Sequence, residues 1–126
     1  MSDAGKKKIL IVDDQADVRT LIHYSLSPLG YDLYSADNGE EAIISYGKHH
    51  HDIVLLDIMM PGELDGCDVC RMLKQEANPP AIIFVSALCR NEDIKNGLEA
   101  GADAYITKPF SPMGLVREIH RLFHDI

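Results

Sequence analysis

The strongest constraint on this chain is an alternation. Five short apolar runs rich in β-branched residues, Ile9–Val12, Leu33–Ala36, Ile53–Leu56, Ala81–Val85 and Ala104–Thr107, are separated by stretches of helical period. Val18, Leu21, Ile22 and Leu26 are spaced to share one helix face, with Gly30 placed as a C-cap. Asn38-Gly39-Glu40-Glu41 opens a second helix in the pattern of a capping box. Val69, Cys70 and Leu73 mark a third, and Ile94 and Leu98, stopped by Gly101, a fourth. Ser111-Pro112 begins a fifth that runs through Leu115, Ile119 and Leu122. Five βα units make an α/β fold, a doubly wound parallel sheet, because each crossover lays a helix on one face or the other. The length of 126 residues suits a single domain, and no Pro/Gly/Ser linker divides it. Ligands of such sheets sit beyond the carboxyl ends of the strands. Function is therefore sought there.

Charge narrows the partners. Twelve Lys and Arg against twenty Asp and Glu leave a formal charge of −8, which repels phosphate backbones and anionic bilayers, so neither nucleic acid nor membrane is expected as a direct partner. The runs Ile9–Val12 and Ile82–Val85 are far too short to span a bilayer. The opening Met-Ser-Asp-Ala-Gly-Lys-Lys-Lys does not read as a signal peptide. Three cysteines do not suggest a disulfide framework, and a reducing cytoplasm is the expected location. Residues 1–6 are expected to form a flexible N-terminus, with Lys6-Lys7-Lys8 as a solubilising run, and residues 7–126 the domain.

The strand ends are acidic. The first run closes on Asp13-Asp14 and the third on Asp57, so if the two strands are neighbours three carboxylates converge. Two unit charges 4 Å apart repel by about 4 kcal/mol near a protein surface, and packing asks for no such cluster. Helix capping accounts for Asp13 or Asp14 singly but not for the set. Lys108, directly after the last strand, and a bound divalent ion both offset the repulsion. Hard oxygen donors without His or Cys suit Mg²⁺. A carboxylate beside Mg²⁺ and Lys is equipped to act as a nucleophile and take a phosphoryl group. Asp57, flanked only by Leu56 and Ile58, is the expected nucleophile, with Asp13 and Asp14 holding the ion. Ser86 and Lys108 offer bonds to the phosphoryl oxygens.

These residues resemble the receiver domains of two-component response regulators, from about Lys7 to Ile126. The resemblance rests on Ile11-Val12-Asp13-Asp14, on Leu55-Leu56-Asp57-Ile58-Met59-Met60-Pro61-Gly62, on Val85-Ser86-Ala87, and on Gly101-Ala102-Asp103-Ala104-Tyr105-Ile106-Thr107-Lys108-Pro109-Phe110. It implies a flavodoxin-like fold with strand order 2-1-3-4-5. It further implies that Asp57 receives a phosphoryl group from a sensor histidine kinase or phosphotransfer protein. Mg²⁺ would be held by Asp57, by Asp14 directly, by Asp13 largely through water, and by the Met59 backbone carbonyl. Ser86 and Tyr105 match the switch positions, and Lys108–Pro109 matches a peptide that is cis in the family. Phosphorylation would draw in Ser86 and Lys108, let Tyr105 turn inward, and alter a face of helix four, strand five and helix five. A partner or output domain would read that face, and the expected state is a monomer or a weak phosphorylation-dependent dimer.

Some positions depart from the family pattern. The loop Pro61-Gly62-Glu63-Leu64-Asp65-Gly66 is one residue longer than the commonest form. Ile94, Ala104, Gly114 and Glu118 stand where the winged-helix transcription-factor branch carries complementary charges that lock a dimer. Met59 and Leu88, at positions that tune hydrolysis, are apolar and cannot orient a water, which predicts a long-lived phosphoryl group.

Other signals read as structural. Cys67-Asp68-Val69-Cys70 is a CxxC pair on a predicted helix; a redox site there needs a low thiol pKa, which Asp68 works against, and Val69-Cys70 reads as core, so the pair reads as inert. His49-His50-His51 reads as a solvated helix-to-strand turn, since consecutive side chains diverge. Asp65 and Asp103 read as turn residues. The leading function is a phosphorylation-controlled switch, not an enzyme that turns over substrate. The alternative is a Mg²⁺-dependent phosphohydrolase of the haloacid dehalogenase kind. That family wants Asp-x-Asp on its first strand, whereas Asp13 is followed by Asp14-Gln15 and Asp57 by Ile58-Met59. A nucleotide-binding module is weaker, with neither GxGxxG nor a Walker loop.

Overall fold

A computed structural model describes residues 6–125. The predicted residues 1–5 of the N-terminal tail lie outside the described residues. Five strands, β1 (Lys8–Val12), β2 (Asp32–Ala36), β3 (Ile53–Leu56), β4 (Ala81–Ser86) and β5 (Ala104–Thr107), form one parallel sheet in the order 2-1-3-4-5. The helices are α1 (Ala16–Leu26), α2 (Gly39–His49), α3 (Gly66–Leu73), α4 (Asn91–Glu99) and α5 (Pro112–Asp125). The α/β fold and strand order are those expected.

Side chains alternate across the pleat, so each strand feeds two cores. Leu10, Val12, Val54, Leu56, Ile82 and Phe84 pack with Ala42 and Tyr46 of α2, Val69, Cys70 and Leu73 of α3, and Ala100. Ile9, Ile11, Ile53, Leu55, Ile83 and Val85 pack with Ile22 and Leu26 of α1 and with Leu115, Ile119 and Leu122 of α5. Each fully buried aliphatic side chain contributes about 1.5–3 kcal/mol. Every residue of β3 is buried, while β5 at the sheet's edge is half-buried throughout.

Local signals fare unevenly. Gly30 (φ 83°) caps a 3-10 turn over Ser27–Leu29 that extends α1, and Gly101 (φ 115°) follows α4 as expected. Asn38 caps α2 by accepting from the Glu41 N–H (2.8 Å). The Glu41 carboxylate, however, accepts from Asp37 rather than Asn38 (3.4 Å), so the predicted box is not reciprocal. The reciprocal box stands on α3, where Asp65 and Asp68 exchange bonds (2.9 and 3.1 Å). Asp65 is thus a helix cap rather than a turn residue. Leu21 and Leu98 are half-exposed, and the remaining members of their stripes carry the packing.

The histidine run is corrected most. His50 takes a left-handed conformation (φ 49°) and ends α2, but His51 is buried, only 2% exposed. Its ring stands edge-on to Tyr34 (4.7 Å), and its Nε2 lies 3.4 Å from Ser45 Oγ. Burial lowers its pKa to about 4, with His49 and Lys8 adding to the effect. The turn is therefore solvated at His50 but anchored by the buried ring of His51.

Candidate functional site

The site is built by extending the ladders one rung past the strands. The Asp13 N–H donates to the Ala36 carbonyl (3.2 Å), Asp57 N–H to Val12 (3.0 Å) and Lys108 N–H to Ser86 (2.8 Å). Each backbone is thereby fixed while its side chain leaves the carboxyl end of the sheet. One oxygen from each of Asp13, Asp14 and Asp57 falls within 4.8 Å of the others, and among the described residues this is the only such group of potential metal ligands.

Lys108 ties the cluster together. Its Nζ donates to Asp13 Oδ2 (2.7 Å) and Asp57 Oδ2 (3.1 Å), and the Lys108–Pro109 peptide is cis, as the resemblance implied. Asp13 Oδ1 accepts from the Gln15 N–H (2.9 Å), and Asp57 Oδ1 from Ile58 N–H (2.7 Å). Asp13 and Asp57 are buried, whereas Asp14 is exposed and opens the cluster to water. Burial pushes the Asp57 carboxyl up from its ordinary range; Asp13 adds to this, and the Lys108 ammonium opposes it. For Lys108, burial alone would lower the pKa, but its bonds to Asp13 and Asp57 overcome that and raise it. The donor set is all oxygen, anionic and open on one side. It fits a hard divalent ion that keeps several waters.

Ser86, 1% exposed, closes β4, and its Oγ accepts from the Leu88 N–H (3.1 Å). The Tyr105 hydroxyl donates to the Leu88 carbonyl (2.6 Å). Both switch candidates therefore meet on Leu88. The tyrosine itself is half-buried. Its ring lies 5.8 Å from Phe84 and fills the space over Gly97 of α4, where a Cβ would come within 2.9 Å of it. Met59 follows the cluster with an exposed side chain, and Leu88 is half-buried.

Three contributors escaped the sequence reading. Gly97 makes the tyrosine slot; a glycine inside a helix costs about 1 kcal/mol relative to alanine, and that was the available signal. Arg19 donates to the Asp13 carbonyl (2.7 Å) and braces the end of β1. Glu40 accepts from the Glu63 N–H (3.0 Å), fastening the long loop after β3 to the first turn of α2. Asp103, read as a turn residue, is also a staple: its carboxylate accepts from Ile82 N–H (2.8 Å) and Lys74 Nζ (2.7 Å). Burial raises Cys67 and pushes Cys70 up to about 11, as suits inert thiols. A groove lined by Ile94, Leu98, Tyr105, Ile106, Phe110 and Arg117 runs along the face of α4, β5 and α5.

The sequence matches the response regulator receiver domain over residues 9–120. It is 45% identical over 121 residues to the probable transcriptional regulator ycf27 of Porphyridium aerugineum, covering 96% of this chain and 50% of that protein. It is 44% identical over 106 residues to the alkaline phosphatase synthesis transcriptional regulatory protein PhoP of Bacillus subtilis, covering 84% of this chain and 44% of that one. The chain thus spans about half the length of the curated relatives it matches. Among solved structures it resembles the BeF3-activated DrrB receiver domain, with a TM-score of 0.87, 31% identity and coverage of 94% and 98% of the two chains. The Francisella response regulator 1452 receiver domain gives a TM-score of 0.88 at 31% identity, covering 95% and 98%. None of these matches supports a haloacid dehalogenase-like hydrolase. Strand order, acidic strand ends and sequence kinship agree that this chain belongs to the response regulator receiver domain family.

Proposed function

We propose that residues 7–126 act as a phosphoacceptor switch in which Asp57 receives a phosphoryl group from the phosphohistidine of a sensor kinase or phosphotransfer protein. A carboxylate oxygen of Asp57 attacks phosphorus, the P–N bond breaks, and the departing imidazole keeps the electron pair and takes up a proton. The observation that carries this reading is Lys108, whose ammonium reaches Asp57 and Asp13 at once. Transfer leaves that cation free to hold a phosphoryl oxygen, and the Ser86 hydroxyl stands ready for another. Asp13, Asp14, Asp57 and the Met59 carbonyl would hold Mg²⁺, which supplies positive charge to the transferring oxygens.

Recruiting Ser86 turns a hydroxyl that also accepts from the Leu88 N–H, and the Tyr105 hydroxyl rests on the same residue. The β4–α4 loop and the groove of α4, β5 and α5 therefore respond to the phosphoryl group as a population shift. A reader of that groove needs about 1.4 kcal/mol of preference for each tenfold discrimination. The relatives are named transcriptional regulators and are twice as long, which supports an output domain as that reader, in the cytoplasm. No helix of the described residues is long and apolar enough to cross a membrane.

Incubation with acetyl phosphate and Mg²⁺, followed by intact mass measurement, tests the proposal. A single adduct of about 80 Da, absent in Asp57→Ala, is expected. Its failure to form, or its survival in that variant, would overturn the assignment.

A further inference from the structure

Helix α5 carries His120 and His124 four residues apart, which places both rings on one helix face. Both residues are exposed, and their ring centroids stand 4.0 Å apart with 41° between planes. Among the described residues, neither ring makes a hydrogen bond. The other histidine cluster is unlike this one, because the ring of Tyr34 packs against both His49 (4.5 Å) and the buried His51 (4.7 Å).

We propose that His120 and His124 form a two-imidazole chelate for a late first-row divalent ion such as Zn²⁺, one per chain, with water completing its shell. A tetrahedral ion about 2.0–2.1 Å from each imidazole nitrogen needs those nitrogens about 3.3 Å apart. Rings 4.0 Å apart on a helix surface meet that requirement by rotating about their side-chain bonds. The i, i+4 spacing on one helix is the arrangement that holds zinc in HExxH helices, here without the glutamate. The charge setting is permissive. Arg121 is paired with Glu118 (2.8 Å), His124 lies in the last turn where helix carbonyls favour a cation, and the chain carries −8 overall. Imidazole donors select borderline ions, whereas the all-oxygen cluster around Asp57 selects hard ones, so the two sites are chemically separable.

The test is a Zn²⁺ titration of the chelator-stripped chain in excess Mg²⁺, followed by histidine ring resonances in NMR. One Zn²⁺ per chain is expected, with shifts confined to His120 and His124. His120→Asn and His124→Asn should each weaken binding by at least about tenfold, with circular dichroism unchanged. Asp57→Asn should bind Zn²⁺ as the parent does. Equal affinity in the double histidine variant, shifts at His23 or His49–His51 instead, one ion per two chains, or loss of binding in Asp57→Asn would each overturn the proposal.

Discussion

Gly97 leaves the space that Tyr105 fills: a Cβ on the glycine would stand 2.9 Å from the tyrosine ring and 3.0 Å from Phe84. Gly97→Ala gains about 1 kcal/mol of helix propensity but overpacks a filled contact, which costs about 1–3 kcal/mol. A net loss of roughly 1 kcal/mol in urea unfolding is expected. Tyr105 should also move outward, seen as faster solvent exchange of its hydroxyl proton and altered ring resonances. A more stable variant with an unmoved ring would show that the slot has slack.

Removing the cation that joins Asp13 to Asp57 should cost more. Lys108→Met leaves buried carboxylates uncompensated, and a loss of roughly 2–3 kcal/mol is expected, below the range for fully enclosed pairs because Asp14 opens the cluster to water. Added Mg²⁺ should then stabilise the variant more than the parent. Equal denaturation midpoints for variant and parent in metal-free buffer would contradict this.

The raised pKa of Asp57 fixes the sign of a pH effect. A carboxyl that holds its proton more tightly folded than unfolded adds stability at low pH, and that stability is lost as pH rises through the folded value. Ionised Asp57 is thus a liability at neutral pH. Asp57→Asn in metal-free buffer should be more stable at pH 7, by about 1 kcal/mol, with the gap closing as the medium is acidified. A destabilised Asp57→Asn at pH 7 would reverse the sign.

His51 acts in the opposite sense. Its pKa of about 4 lies below the unfolded value, so the unfolded chain binds the extra proton, and stability falls as pH drops from about 6.5 towards 4. The full effect is on the order of 3 kcal/mol. His51→Asn should unfold at lower urea near pH 7 yet lose less on acidification across that window. Parallel pH profiles for the two proteins would rule this out.

If Asp57 is the phosphoacceptor as proposed, Met59 and Leu88 are expected to set the lifetime of the phosphoryl group. Neither offers a polar atom to a water, so Met59→Asn and Leu88→Glu should each speed dephosphorylation, followed as decay of the phosphorylated mass. Unchanged or slower decay would count against that role.

Much of this architecture is legible in the sequence because its signals are periodic or chemical. The buried runs of β1, β3 and β4 have to be strands covered on both faces, and acids at the ends of β1 and β3 follow from chain position. What escaped depends on partners distant in sequence. Gly97 matters only because β5 brings Tyr105 beneath it. His51 looks solvated beside two other histidines until Tyr34 of β2 is placed against it. Glu41 misses its expected box because its carboxylate takes the N–H of Asp37 rather than of Asn38, a one-residue difference in reach that spacing alone does not resolve.

The placement of β5 has a mechanical consequence. It has a neighbour on one side only, and its four residues are half-buried, whereas β3, which leads directly into Asp57, is enclosed on both sides. The phosphoacceptor proposed at Asp57 therefore follows the enclosed centre of the sheet, while Tyr105 and Lys108 lie on and just beyond its half-buried border strand. On that reading, a pull at the centre would emerge as movement at the rim, where fewer neighbours hold the backbone.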